Sequence, residues 1–117
     1  MIETVQAFIQ SVSNRPHVLL LIENVELTID FIMKEESITL LLKNGEIFLA
    51  DNGNQNSNKY SMRGEPGSLK DLVEGREKLR TLIIRGELQF SAPIRTLLLL
   101  EAFFYLGKTE PLFAKIS

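Results

Sequence analysis

Residues 93–107, "PIRTLLLLEAFFYLG", admit few architectures. Wound as a helix at about 100° per residue, the segment gathers Leu99, Ala102, Phe103 and Leu106 on one face. Leu97, Leu100 and Phe104 form a second face, and Ile94, Leu98, Glu101 and Tyr105 a third. Arg95 and Glu101 are its only charges. A surface helix needs one apolar stripe, whereas this one is greasy nearly all round. Three arrangements satisfy it: burial at the centre of a core, a face lining an apolar cavity, or a face packed on a second copy of the chain. A membrane span is excluded, because about 13 apolar-rich residues fall short of the ~20 a bilayer requires.

The segments before this helix alternate in period. Ile2, Val5, Ile9 and Val12, with Phe8 beside them, predict a short amphipathic helix over 2–12 that ends before Pro16. "VLLLI" (18–22) reads as a buried strand. "VELTIDFIM" alternates, with Val25, Leu27, Ile29, Phe31 and Met33 on one side and Glu26, Thr28 and Asp30 on the other. "ITLLLK" and "EIFLAD" flank Asn44-Gly45, the strongest short hairpin signal, since a type I′ turn requires positive φ at both central residues. "DNGNQNSN" is expected to be a polar loop, and "KYSMRG" an edge strand with Tyr60 and Met62 on one face.

Helical patterning resumes at Ser68, an N-cap candidate for "LKDLVE", with Gly75 suited to the C′ position. "REKLRTLIIR" continues as a second helix closed by Gly86. "ELQFS" then forms a last strand with Leu88 and Phe90 inward, and Pro93 starts the greasy helix. Helix, β-meander, two helices, strand, helix: this order predicts an α+β fold with an antiparallel sheet covered by helices on one face. The 117 residues suit one domain spanning 1–117.

Composition removes several functions. A net charge of -2 with scattered basic residues argues against nucleic acid, whose phosphates call for a concentrated cationic surface. The chain has no cysteine, so neither a disulfide framework nor a thiolate site exists. "MIETVQAFIQ" lacks a basic leader and "FAKIS" is no organelle address, so the cytoplasm is the expected compartment.

Chemistry is sparse. His17, the single histidine, sits beside Pro16 without a partner pattern, and reads as a solvated turn residue; metal sites draw on several His or Cys. Glu35/Glu36, with Glu23, Glu26 and Asp30, fit turns and a wet strand face better than an acid–base pair. Gly53 stands without a following Lys-Ser/Thr, which excludes a P-loop. The cations of "REKLR" and Arg85 fall on several helix faces, so a solvated surface outweighs a membrane-docking patch. No cofactor, no metal and no catalytic residue is expected.

"LKDLVEGREKLRTLIIRGELQF" (69–90), preceded by "ITLLLKNGEIFLADN" and "NKYSMRGEPGSL", resembles the sterol carrier protein type 2 family of lipid-binding domains. Leu69, Leu72, Val73 and Gly75 fit that family's first late helix, and Gly86, Glu87 and Leu88 its following strand start. The resemblance spans about residues 18–106. The chain differs at "SAP" (91–93), where many members turn on Gly-Asp, and at Glu87, where a basic residue is usual. The resemblance implies a sheet of about five strands under helices, and an apolar tunnel that takes acyl chains, acyl thioesters or sterols without catalysis. For a small stand-alone bacterial-type member an acyl or isoprenoid chain is favoured over a sterol.

Strand parity and helix face then nominate Phe48, Leu72, Leu82, Ile83, Phe90, Leu100, Phe103 and Phe104 as walls, although each, taken singly, reads as plain core before it reads as ligand contact. Arg95 is the candidate for a ligand carboxylate at the mouth. An apolar lipid is the expected partner. Transient contact with a membrane surface, or a homodimer with a filled core, are the other partners the pattern allows.

Overall fold

In a computed structural model that describes residues 1–50 and 58–108, five strands form one sheet in the order β3-β2-β1-β4-β5. The expected polar loop at 51–57 lies outside the described residues. Helix α1 is Ile2–Ser13, and a short helix α2, Pro16–Leu19, runs into a 3₁₀ turn at Leu20–Ile22. Strands β1 (Glu26–Ile32), β2 (Ser37–Lys43), β3 (Glu46–Ala50) and β4 (Asn58–Gly64) follow. Then come α3 (Pro66–Val73), α4 (Leu79–Ile84), β5 (Leu88–Gln89) and α5 (Ile94–Leu106).

The β2–β3 hairpin turns as the sequence requires. Asn44 and Gly45 both take positive φ, 51° and 80°, and Lys43 faces Glu46 across the turn. This matches the right-handed twist of the strands it joins. The amide of Gly45 also binds the Ile22 carbonyl at 2.9 Å, which ties the turn to the 3₁₀ segment.

Two expectations are corrected. "VLLLI" is helical, not a strand: Pro16 starts a helical turn that carries Val18 and Ile22 into the core and leaves Leu20 at the surface. A short apolar run is compatible with either state, and here the preorganised φ of proline at the first turn favours helix. The sheet is mixed rather than purely antiparallel. β4 lies parallel to β1, with Ile29 opposite Tyr60 and Phe31 opposite Met62. β4 is also no simple edge, since β5 pairs with its last residues, Arg63 and Gly64.

One sheet face carries the core. Leu27, Ile29, Phe31, Ile38, Leu40, Leu42, Ile47 and Met62 are all buried there. Helices cover it with Val5, Phe8 and Val12 from α1, Leu69, Leu72 and Val73 from α3, Leu79 and Leu82 from α4, and Leu100, Phe103 and Phe104 from α5. Phe8 meets Phe103 and Phe104 at centroid distances of 5.5 and 5.2 Å, and Phe104 meets Phe31 at 5.9 Å, in the tilted and edge-on geometries aromatic pairs prefer. The opposite face is polar across its centre. Asp30 accepts from the Thr39 hydroxyl at 2.6 Å and pairs with Lys59 at 3.2 Å, tying β2, β1 and β4 together.

The helices begin and end for local reasons. Pro66, not Ser68, opens α3, and Ser68 lies inside it with its hydroxyl 3.2 Å from Glu87 Oε1. After Gly75 (φ 75°) the amides of Arg76 and Glu77 both turn back to the Asp71 carbonyl, so α4 starts later than expected, at Leu79. At the far end of α5, Gly107 lets the helix approach α1. A Cβ there would lie 2.6 Å from Val12 Cγ2 and 2.8 Å from Phe8 Cε1.

Candidate functional site

Helices α4 and α5 run antiparallel, and two contacts fix their order. Lys78 Nζ stands 5.1 Å from the Tyr105 ring centroid, and Arg80, two residues later, engages Glu101, one turn earlier in α5. The Arg80 guanidinium reaches Glu101 Oε1 through Nε at 2.9 Å and NH2 at 2.8 Å, while the Arg80 backbone amide donates to Oε2 at 3.1 Å. Glu101 thus neutralises a cation and satisfies an amide in the first turn of α4. The hydrogen bonds from the Arg80 side chain outweigh burial and, helped by its backbone amide and by the Arg80 and Lys78 charges, hold the Glu101 carboxyl below its usual range.

Carried on in the same sense, α4 brings Ile83 and Ile84 to the end where α5 begins. Side chains there are apolar and poorly covered. Ile84 is 84% exposed, Ile94 65% and Leu98 43%, whereas Ile83, Leu97 and Phe90 are half-buried against the core. Ile94 and Leu98, four residues apart, share one face of α5. Phe90, just before α5, meets Tyr60 of β4 edge-on at 6.1 Å. Arg95 is exposed on the first turn of α5 beside them. The greasy helix therefore does one of the things its pattern allowed and leaves part of its surface uncovered. Leu100, Phe103 and Phe104 fill the core, and its first two turns leave an apolar surface.

The nominated residues separate accordingly. Leu72, Leu82, Leu100, Phe103 and Phe104 are fully buried and interlock in the core. Ile83, Phe90 and Arg95 lie at the open end. Phe48 belongs to neither group. It pairs with Leu41 on the sheet face opposite the core and is 43% exposed, so its inward parity is corrected. The reason is the turn: Lys43 and Glu46 face each other on the solvent side, and Phe48, two residues beyond Glu46, must share their face. Sequence reasoning missed Ile84, Ile94 and Leu98 as surface residues; the four-residue spacing of the last two was the available signal.

Two clefts, of about 600 and 480 Å³, lie elsewhere, where β1 ends near α3. Lys34 and Glu65 line both, and Arg63 and Glu87 the larger, so their walls are mixed and charged. No nominated residue lines them. Among the described residues no group of three or more His, Cys, Asp or Glu could hold a metal ion, and no helix is long and apolar enough to cross a membrane.

A profile of the SCP-2 sterol transfer family matches residues 7–104. Among solved structures, one described as the UbiJ-SCP2 ubiquinone synthesis protein superposes with a TM-score of 0.70 at 14% identity, over 92% of this chain and 96% of its own. The apo form of sterol carrier protein 2 from Yarrowia lipolytica gives 0.61 at 11% identity, over 90% and 89%. A sec-alkylsulfatase from Pseudomonas sp. gives 0.61 at 16% identity, over 80% of this chain but 14% of its own length. No curated protein matches the chain at the level of sequence.

Proposed function

The chain belongs to the SCP-2 sterol transfer family, and on that premise we propose that it binds and hands on an apolar lipid tail without changing it chemically. The tail is an acyl chain, an acyl thioester or an isoprenoid rather than a sterol. The observation that carries this reading is the apolar end between α4 and α5, where half-buried Ile83, Phe90 and Leu97 separate solvent from a closed core. A protein of similar fold is described as a ubiquinone synthesis protein, and ubiquinone is a quinone on an isoprenoid tail, which favours the isoprenoid among these.

In this reading the tail enters where α4 leaves α5. Helix α4 is pinned to α5 at its first turn by Glu101, and Ile83 and Ile84 lie at its other end. Leu82 and Leu100 form the floor beneath it, with Leu72, Phe103 and Phe104 deeper. Water leaves and hydrocarbon replaces it. Ten methylenes at ~0.8 kcal/mol each contribute about 8 kcal/mol before association costs, so micromolar binding without a charged anchor calls for a longer tail. Arg95 sits where a carboxylate headgroup would emerge.

Native mass spectrometry of the protein purified from cells tests this. The expected result is a lipid mass that solvent extraction removes and that returns on incubation with a polyprenyl quinone or a fatty acid. Ile83→Trp should block the return while the fold persists. Clean ligand-free spectra together with no uptake of either lipid overturn the reading. Arg95→Glu should weaken fatty-acid uptake and spare the neutral quinone.

A further inference from the structure

Strand β3 takes no part in the lipid reading, yet its chemistry is unusual for its place. It is the last strand on its side of the sheet. Glu46–Ala50 contains no proline, no lysine and no break in register, the devices that normally protect an edge. It is apolar on both faces: Phe48 is 43% exposed on the solvent side and Leu49 38% on the core side.

Among the described residues the backbone of this edge also lacks a partner on its outer side. A two-residue turn closes on a hydrogen-bonded pair, here Lys43 and Glu46, so Glu46, Phe48 and Ala50 point their amides and carbonyls at β2. Ile47 and Leu49 therefore point theirs away from the sheet. Among the described residues no backbone hydrogen bond outside the hairpin uses either residue.

We propose that β3 pairs with β3 of a second copy of this chain, antiparallel about a two-fold axis at Phe48, joining two sheets into one. This register sets Ile47 opposite Leu49 of the second copy, and the reverse by symmetry, so that every free amide on one strand meets a free carbonyl on the other. Phe48 faces Phe48 of the second copy in a non-hydrogen-bonded pair, where Cα atoms come within about 4.5 Å and aromatic side chains stack. Glu46 lies opposite Ala50, so no like charges meet. Sliding the strands to set Ile47 opposite itself brings Leu49 to Gly45, whose amide is already spent on Ile22. At the register centred on Phe48 the edge is complementary to itself in backbone, charge and apolar side chains, which is why a second copy is the occupant.

The chain has no native cysteine, so single-cysteine variants read the contact directly. Under mild oxidation Phe48→Cys should form a disulfide-linked dimer at least about tenfold faster than Glu26→Cys, which is exposed near the end of β1, because a paired edge holds the two sulfurs at high effective concentration. In sedimentation velocity the wild-type mass should rise from one chain toward two with concentration. Phe48→Lys should stay at one chain, with an unchanged circular dichroism spectrum and unchanged lipid uptake, which separates this proposal from the lipid reading. Equal crosslinking of the two cysteine variants, or a single-chain mass at every concentration, overturns it. So does growth beyond two chains, or an edge filled only by an extended peptide of another protein.

Discussion

Glu101 accepts both the guanidinium of Arg80, at 2.8 and 2.9 Å, and the Arg80 backbone amide, at 3.1 Å. One carboxylate on α5 thereby fixes the start of α4. At 9% exposure the residue is largely out of water, so losing its partner groups leaves both sides uncompensated. Glu101→Ala is expected to cost about 1–3 kcal/mol in urea unfolding at neutral pH. The folded-state carboxyl is held below its ordinary range. Its contribution is therefore present above the unfolded-state pKa and is lost as pH falls through the lower, folded value. The stability gap between wild type and Glu101→Gln should narrow on acidification below about pH 4. A gap that stays constant would show that the pair carries no linkage.

Gly107 is required by space, since its φ of −85° suits any residue. A methyl group there meets Val12, Phe8 and the Phe103 carbonyl, all within 3.0 Å. Gly107→Ala should therefore destabilise the fold by about 1–3 kcal/mol through overpacking, even though alanine is the better helix former. A paired Val12→Ala, Gly107→Ala variant should recover part of that loss, because the new methyl would occupy the vacated volume. Thermal unfolding of the two variants beside the wild type reads both effects.

The open end and the core should respond oppositely to substitution. Leu98→Ser and Ile84→Ser alter side chains that are already largely wet, and unfolding free energies should move by about 0.5 kcal/mol or less. Lipid uptake should fall in both. Phe104→Ala empties a site against Phe8 and Phe31 and should cost about 3–5 kcal/mol. If the exposed substitutions leave uptake untouched, the tail does not enter between α4 and α5.

Local rules made some elements legible and tertiary ones hid others. Asn44-Gly45, Gly75 and Gly86 were readable because positive φ leaves a residue signature, and all four residues adopt it. The alternation of Leu27, Ile29 and Phe31 gave the core face of β1 for the same kind of reason. The inward assignment of Phe48 failed on phase: parity counted from the turn would have placed it with Lys43 and Glu46. The run 18–22 was ambiguous between two periods until Pro16 was given its weight. Nothing local announces that β4 will lie parallel to β1, since that choice depends on how the chain returns. Likewise Glu101 looked like one charge on a greasy helix because its partner lies on another element. At the open end, Ile83 and Phe90 were nominated from the helix pattern and strand parity and Arg95 as a cation for a headgroup, whereas the exposure of Ile84, Ile94 and Leu98 depends on where α4 stops.

The β1–β4 pairing also has a kinetic consequence. Residues 27–32 and 58–63 lie far apart in the chain, and β1 meets its antiparallel neighbour β2 across a far shorter connection. Closing the longer loop carries more entropy to be recovered, so the hairpins assemble first and β4 docks on a surface they have already built. Refolding should slow when Gly45→Ala strains the early turn, whereas Met62→Ala on β4 should chiefly quicken unfolding. Stopped-flow rates would then place the last-arriving strand on the side of the sheet next to Phe90 and the open end of α5, making that half the first to loosen.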